Sequence, residues 1–378
     1  MRETRASYLV NPATVDRNTL KGRNHFHIWS LGAEMVDAVI ENWDQTKDLY
    51  LFVLEEYEIG YGSSTYGENL KVLSRLIEQS GKKCYMFIGR DRADYGESKR
   101  YSWLPAKIKY VPMFWLYKLY IDMENAEHNY NSDGIINWEF EYTPKRTFCC
   151  YNHRSRWHRD FLLDELQKHH LLNNNDFTWH DFESEHHHDW KYWNPEITYL
   201  EGDNYVVKQP DPASGNVWTF NQYVFPPKYL ESAIHLVTET SFTDRFYSEK
   251  TFFPIFHEKP FIICGSPLQN QRLTDFGFKL YNFDYNFDHI TDHKERIEAL
   301  AKEIKRLSLI KPEKLYQDNK EIAIYNRKLA IEYIKTGKML PNHLIQLALN
   351  CNHEEEDVGA LGGLRWYLES FNITNNNI

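Results

Sequence analysis

The chain has 378 residues, of which 42% are hydrophobic, 16% aromatic and 26% charged. This is the composition of a globular protein, and its length predicts two domains rather than one core. The formal net charge is -10, and no long run of lysine and arginine occurs. The charge therefore argues against a general electrostatic surface for nucleic acid or anionic membrane.

Targeting signals and paired cysteines are both missing from the sequence. The segment from Met1 to Leu20 lacks the apolar region of a signal peptide, and no window approaches about eighteen consecutive apolar residues. The five cysteines have no C-x-x-C spacing, which argues against a disulfide framework and a cysteine zinc site. We therefore expect a soluble, cytoplasmic protein with no membrane partner.

Alternating strand and helix signals begin in the first half of the chain. The apolar run DLYLFVLEE (48–56) predicts a strand, 68–81 a helix that ends at a glycine, and 82–90 the next strand. These three form a βαβ unit. A helix is also predicted over 30–43 and a further strand over 107–115, interrupted by Pro112. The pattern is typical of a parallel α/β domain.

The same pattern restarts after residue 143. A short apolar strand, a basic turn and a helix are predicted within 143–172, followed by an irregular region over 173–225. Strands are then predicted over 233–240 and 261–265, with a short helix from Ser248 between them and another helix that closes on Gly277. After 289 the chain is predicted to be mainly helical, with a frayed tail over 372–378.

These patterns predict an α/β fold with two Rossmann-like domains and a C-terminal helical extension. The predicted ranges are 1–143 for the first domain, 144–288 for the second, and 289–378 for helices that pack on both. Open parallel sheets bind ligands at the carboxyl ends of their strands, so a ligand site between the domains is expected.

Polar side chains follow the predicted strands of the second domain. They are the turn Asn152, His153, Arg154, Ser155 and Arg156, the acid Glu239, the pair Glu249–Lys250, and the turn Gly265, Ser266 and Pro267. Arginines and helix N-termini suit phosphate oxygens, whereas a carboxylate suits the hydroxyls of a ribose. A nucleotide with a diphosphate satisfies both requirements. The P-loop and G-x-G-x-x-G motifs are missing.

Two segments resemble a known family. VTETSFTDRFYSEKTFFPIFHEKPFIICGSP resembles the donor-binding motif of alpha-1,3-fucosyltransferases and related glycosyltransferases of the GT-B fold, and FCCYNHRSRWHRDFLLDEL resembles the motif that precedes it. Together they cover less than a third of the chain. The resemblance implies a GT-B architecture and a nucleotide-sugar donor, and this chain has Thr240 where the family has Asn. Whether the donor is GDP-linked or UDP-linked stays open.

The resemblance also implies roles for individual residues. Glu249 would bind the ribose of the donor and Lys250 its diphosphate, while Glu239 would face the sugar or orient Lys250. The donor-binding residues are therefore predicted to be Asn152, Arg154, Arg156, Arg159, Glu239, Ser248, Glu249, Lys250, Gly265 and Ser266. Among these residues, the three arginines would add positive charge beside the diphosphate.

A reaction without a metal or another cofactor is predicted. Negative charge develops on the leaving diphosphate, and Lys250 with an arginine would stabilise it. The Asp-x-Asp motif of metal-dependent glycosyltransferases is not present. The acceptor hydroxyl needs a general base, for which Glu55 and Glu56 at the end of a predicted strand are the candidates, followed by Asp91.

Other polar clusters receive different interpretations. The adjacent His186, His187 and His188 do not share one face, so a metal site is not predicted there. His25 and His27 are candidate acceptor contacts. A second acid–base pair, Glu258–Lys259, precedes Pro260 and is predicted to form a solvated turn.

Three functions follow from these observations. The first is a metal-independent glycosyltransferase that acts on a glycan or another hydroxyl acceptor. The second is a glycosyltransferase that modifies hydroxymethylated bases in DNA, which would need a basic groove such as the stripe Lys82, Lys83, Arg90, Arg92, Lys99 and Arg100. The third is a non-catalytic carbohydrate-binding protein, which would bind sugars without binding nucleotides.

Overall fold

The computed structural model describes residues 24–27, 33–53, 64–89, 91–92, 105–125, 136, 139–152, 156–173, 175–179, 192–193, 199–201, 204–206, 227–242, 244–349, 364 and 367–373. The chain forms two compact units. Unit 1 comprises Met1–Ile121, Asp244–Tyr247 and Tyr333–Ile378, and unit 2 comprises Asp122–Thr243 and Ser248–Glu332. The predicted domain limits at 143 and 289 stay predictions.

Unit 1 contains a four-stranded parallel sheet with the strand order β1-β2-β3-β5. In chain order its elements are β1 (His25–His27), α1 (Ala33–Asn42), β2 (Leu49–Val53), α2 (Ser64–Ser80), β3 (Cys84–Ile88), β4 (Asp91–Arg92), β5 (Ala106–Tyr110) and α3 (Phe114–Asn125). The order of the strands follows the chain, and α1 and α2 connect neighbouring strands.

The alternation of side chains along β2 and β3 divides the core of unit 1 between two faces. Leu49 and Leu51 pack with Met86 against the apolar residues of α1 and α2. Residues one position along point to the opposite face, where Phe52 stacks on Phe87 with ring centroids 5.1 Å apart. Strands buried on both faces are typical of parallel sheets.

Unit 2 contains a five-stranded sheet with the strand order β13-β11-β6-β7-β8. Its elements begin with β6 (Arg146–Tyr151), α4 (Trp157–Lys168), β7 (Asp176–Trp179), β8 (Tyr192–Trp193), β9 (Tyr199–Glu201) and β10 (Asn204–Val206). They continue with β11 (Ser232–Thr238), α5 (Glu249–Phe256), β13 (Phe261–Cys264), α6 (His293–Leu307) and α7 (Pro312–Thr336), which continues into unit 1. The short strand β12 (Asp244–Arg245) and α8 (Asn342–Leu349) belong to unit 1, where β12 pairs with β4.

The strand order of unit 2 reverses direction between β6 and β11. The chain leaves β6 through α4 to reach β7 on one side, and leaves β11 through α5 to reach β13 on the other. All of these neighbours except β8 are parallel. Open α/β sheets bind ligands at the carboxyl ends of the strands where the order reverses in this way.

The helices of unit 2 cover both faces of its sheet. Leu162 and Leu166 of α4 pack with Ile297 and Ile304 of α6 in one core, which also contains Phe148 and the alternate residues of β11 and β13. His235 points to the other face, where Tyr229 contacts both His235 and Phe253 of α5. The helices α4 and α5 therefore begin at the same sheet edge and cover opposite faces.

The structure confirms the predicted mixed α/β chain with parallel sheets, and it confirms strands near 48–56, 82–90, 233–240 and 261–265. The predicted strand over 107–115 is wrong at its end. The strand stops at Tyr110, and α3 begins at Phe114. Pro112 lies in the turn between them and cannot donate a ladder hydrogen bond, so a strand cannot continue through it.

The region 173–225 is more ordered than predicted, because it contains β7 beside β6, the short strand β8, and the antiparallel pair β9–β10. Two short segments, Pro227–Glu231 and Gln271–Phe276, are 3₁₀ helices, and the second replaces the longer helix that was predicted to close on Gly277. The second of them ends at Gly277, whose φ of 81° lies in the left-handed region. Among the helices described, none is both long and apolar enough to cross a membrane.

Candidate functional site

The candidate site lies at the carboxyl edge of the sheet in unit 2. Asn152 follows β6, Glu239 follows β11, and Gly265 follows β13, while α4 and α5 begin beside them. These strands are neighbours, so the structure brings nine of the ten predicted donor-binding residues to one edge. The tenth, Arg154, lies outside the described residues.

A buried acid anchors the start of α5. Glu239 is fully buried, and its Oε1 accepts a hydrogen bond from the Ser248 backbone N at 3.0 Å and another from Thr251 Oγ1. Its Oε2 accepts from Ser248 Oγ at 2.6 Å and from the Thr240 backbone N at 3.2 Å. Ser248 is in turn the N-cap of α5, accepting from the Lys250 backbone N at 3.2 Å.

These contacts favour an orienting role for Glu239 over direct contact with a sugar. Burial raises the pKa of its carboxyl group, although the charge of Lys250 and the hydrogen bonds from Ser248 and Thr251 lower it in part. Both carboxylate oxygens are directed at the first turn of α5 and the residue after β11. Glu239 therefore fixes the direction in which α5 begins.

Glu249 and Lys250 form the first turn of α5. Lys250 Nζ pairs with Glu249 Oε1 and lies 3.4 Å from Thr240 Oγ1. Of the two side chains, that of Lys250 is 26% exposed and that of Glu249 is 10% exposed. A positive side chain at a helix N-terminus adds to the partial positive charge of the backbone there, which suits an anion.

The start of α4 adds two arginines to the same edge. Arg156 is the N-cap of α4 and is partly exposed, whereas Arg159 is buried and donates from Nη2 to the Thr238 carbonyl at 3.4 Å. Burial, together with the charge of Arg156, lowers the pKa of Arg159 to about 10, and Cys150, Glu239 and Glu249 oppose the shift. The two helix starts therefore share one electrostatic environment.

An aromatic cluster connects α4, the loop after β11, and α6. The ring of His158 stacks on Phe242 with centroids 5.1 Å apart, and His158 Nε2 lies 3.0 Å from the Glu239 carbonyl oxygen. Burial lowers the pKa of His158 to about 3, so the ring is neutral at physiological pH. Arg296 of α6 lies 4.4 Å from the Phe242 centroid, and its Nε donates to the Gly265 carbonyl at 3.1 Å.

Three of the predicted residues have polar groups that are occupied within the protein. Asn152 accepts from Thr238 Oγ1 and contacts Cys150 Sγ at 3.2 Å. Ser266 donates to Gln269 Oε1 from both its backbone N, at 2.7 Å, and its Oγ, at 3.1 Å. A Cβ at Gly265 would lie 2.8 Å from Gln269 Cδ, so a larger residue here would displace the Gln269 side chain that binds Ser266. These three residues therefore stabilise the carboxyl edge of the sheet through contacts within the protein.

Other predicted residues lie outside the described residues. They are the candidate bases Glu55 and Glu56 and the histidines His186, His187 and His188. Asp91 is described only by its backbone in β4, and His25 and His27 only by theirs in β1. Among the residues that the structure describes, no group of three histidine, cysteine, aspartate or glutamate side chains could hold a metal ion.

The prediction that Glu258–Lys259 forms a solvated turn is wrong. Lys259 is fully buried, and its Nζ donates to the carbonyls of Tyr229 and Ser232 and to Ser232 Oγ. Glu258 pairs with Arg327 of α7, with Oε1 and Nη1 2.8 Å apart. The turn is therefore held by the segment from Tyr229 to Ser232 and by α7.

Several residues of the site were not identified from the sequence. Thr251, Phe242 and Arg296 hold the edge together, and Trp157 lies beside it at the start of α4. For Thr251, the usable signal was its position in the first turn after Ser248, a residue type that is preferred at helix N-caps. For Arg296 no local signal exists, because its partner Gly265 lies 31 positions away.

Comparison with known proteins adds no relative. No protein-family model matches the sequence, and no curated protein or solved structure is significantly similar to it.

Proposed function

We propose that the chain is a metal-independent glycosyltransferase that transfers a sugar from a GDP-linked or UDP-linked donor to a hydroxyl acceptor, such as a glycan. The observation that carries the proposal is the start of α5, where a buried acid, Glu239, holds a capped helix N-terminus that presents Lys250. This helix begins at the reversal point of a parallel sheet, which is where such sheets bind nucleotides.

The charges at this edge suit the chemistry of glycosyl transfer. The bond between the anomeric carbon and the diphosphate oxygen breaks, and the electron pair stays on the diphosphate. Lys250, Arg156 and the N-termini of α4 and α5 offer positive charge to that leaving group. A diphosphate would compete with Glu249 for Lys250, which would leave the Glu249 carboxylate able to accept hydrogen bonds from the ribose.

The proposal extends to a GT-B architecture and to the acceptor. Two parallel sheets in one chain support this architecture. The acceptor hydroxyl transfers its proton to a general base as it attacks the anomeric carbon. Glu55 and Glu56 remain the candidates for that base.

The first experiment measures thermal stabilisation by nucleotides without added metal. The panel contains GDP, UDP, CMP and their sugar conjugates, applied to the wild type and to the Glu249→Gln and Lys250→Met variants. A ligand that binds the native state raises its apparent melting temperature. As a matched control we choose Lys314→Met, because Lys314 forms an exposed ion pair with Asp318 at 2.7 Å within α7.

We expect one nucleoside diphosphate to stabilise the wild type and the Lys314→Met control, and to have a much smaller effect on Lys250→Met. No stabilisation of the wild type at millimolar nucleotide would contradict the proposal and would favour the carbohydrate-binding alternative. Once a donor is found, transfer to glycans and to DNA with hydroxymethylated bases distinguishes the two acceptor classes.

A further inference from the structure

One large hydrophobic side chain is exposed beside the candidate site. Trp157, the first residue of α4, is 50% exposed. The other exposed large hydrophobic side chains in the described ranges are Val72, Leu309 and Tyr325, and Trp157 alone among these four lies in the first turn of α4 or α5. Leaving half of an indole in water forgoes part of the free energy that its burial would contribute.

The exposed indole is nevertheless held in place by other rings. Its centroid lies 5.3 Å from that of Phe242, 5.6 Å from that of His158 and 5.8 Å from that of His293, at interplanar angles of 81°, 78° and 61°. The three rings belong to the loop after β11, to α4 and to the start of α6. An aromatic ring that is fixed before a ligand arrives loses little conformational entropy on binding.

We propose that Trp157 is the stacking platform for the nucleobase of the donor. This inference rests on the proposed function, since it assigns one more part of the same nucleotide. Every nucleobase has an uncharged π-face that stacks on an aromatic side chain. In a nucleoside diphosphate the base is separated from the phosphates by a ribose, so its platform must lie close to the cations that bind the phosphates. Arg156 directly precedes Trp157, and His158 links the same turn to Glu239.

A purely structural role would give different results. If Trp157 only covered Phe242 and His158, its removal would loosen both helix starts and weaken binding of every anion equally. Stacking predicts a selective effect on ligands that carry a base. The Trp157→Phe variant separates these cases further, because phenylalanine keeps an aromatic face of smaller area.

The experiment titrates inorganic pyrophosphate and the nucleoside diphosphate that stabilises the wild type, using calorimetry. The proteins are the wild type, Trp157→Ala, Trp157→Phe and the control Tyr325→Ala, which removes an exposed aromatic ring from the middle of α7. We expect Trp157→Ala to bind the nucleoside diphosphate about tenfold more weakly with an unchanged affinity for pyrophosphate. Trp157→Phe should lose less, and Tyr325→Ala should match the wild type.

Two outcomes would overturn the inference alone. They are an unchanged nucleoside diphosphate affinity in Trp157→Ala, and an equal loss for nucleoside diphosphate and pyrophosphate. If the wild type binds no nucleoside diphosphate, the proposed function fails as well, and the stacking role fails with it.

Discussion

The two ends of the sheet in unit 2 carry the same dipeptide in different environments. At the carboxyl end, Glu249 and Lys250 pair with each other in the partly exposed first turn of α5. At the amino end, just before β13, Glu258 and Lys259 have separate partners. Glu258 forms an ion pair with Arg327, and Lys259 donates hydrogen bonds to buried carbonyls. An acid–base pair beside a strand therefore does not by itself indicate a ligand site, because long-range contacts decide whether its side chains are accessible to a ligand.

The surroundings of Lys259 offset part of the free-energy cost of burying its ammonium group. Taking an ammonium group out of water is costly unless hydrogen bonds replace its hydration. The carbonyls of Tyr229 and Ser232 supply them, and Nζ also lies 4.2 Å from the ring centroid of Tyr229 and 4.9 Å from that of Tyr142. The compensation is incomplete, because burial lowers the pKa of Lys259 to about 8.

The largest expected effect on stability is that of Lys259→Ala. This substitution removes a buried side chain and leaves the carbonyls of Tyr229 and Ser232 without their donor. We expect the free energy of unfolding to fall by about 3 kcal/mol or more, measured by chemical denaturation. The exposed Lys314→Ala is the control and should change it by less than about 0.5 kcal/mol. A loss below about 1 kcal/mol for Lys259→Ala would mean that the hydrogen bonds of Lys259 do not outweigh the cost of burying its charge.

The lowered pKa of Lys259 also predicts a dependence on pH. Because its pKa is about 8 in the folded chain and 10.5 in a free lysine, the unfolded chain holds the proton more tightly and protonation opposes folding. The penalty is complete below about pH 8 and disappears above about pH 10.5. Raising the pH through this window should therefore stabilise the wild type relative to Lys259→Met by on the order of 3 kcal/mol.

The comparison with Lys259→Met is needed because neighbouring groups titrate as well. Burial raises the pKa values of Tyr142, Tyr229 and Cys149, so their ionisation favours unfolding at high pH in both proteins. The measured quantity is the difference in unfolding free energy between the two proteins at each pH. A difference that stays constant from pH 8 to 10.5 would contradict the prediction.

At the carboxyl end, Glu239→Gln should reduce stability by about 1–3 kcal/mol, since an amide nitrogen cannot accept the hydrogen bonds that one carboxylate oxygen now receives. It should also weaken nucleotide binding, because α5 begins from this anchor. The control is Glu303→Gln, which alters another buried carboxylate, bound to Arg306 and the Asp284 backbone. Equal nucleotide affinity in both variants would contradict the orienting role.

Local sequence signals were sufficient for the strands and for the capped start of α5. Apolar runs bounded by glycine or polar turns predicted β2, β3 and β13, and the carboxyl ends of neighbouring parallel strands were expected to lie together. The burial of Lys259 could not be predicted, because its acceptors lie 27 and 30 positions earlier in the chain. Likewise, the reversal of strand order between β6 and β11 depends on which strands pair, which no single segment encodes.

The smallest expected effect on stability is that of Lys250→Met. Its ammonium group is partly exposed and pairs with the neighbouring Glu249. We expect a loss of at most about 1 kcal/mol by chemical denaturation, diminishing further at high salt because exposed charges are screened. A loss approaching that of Lys259→Ala would instead make Glu249–Lys250 a structural pair, and the contrast between the two ends of the sheet would disappear.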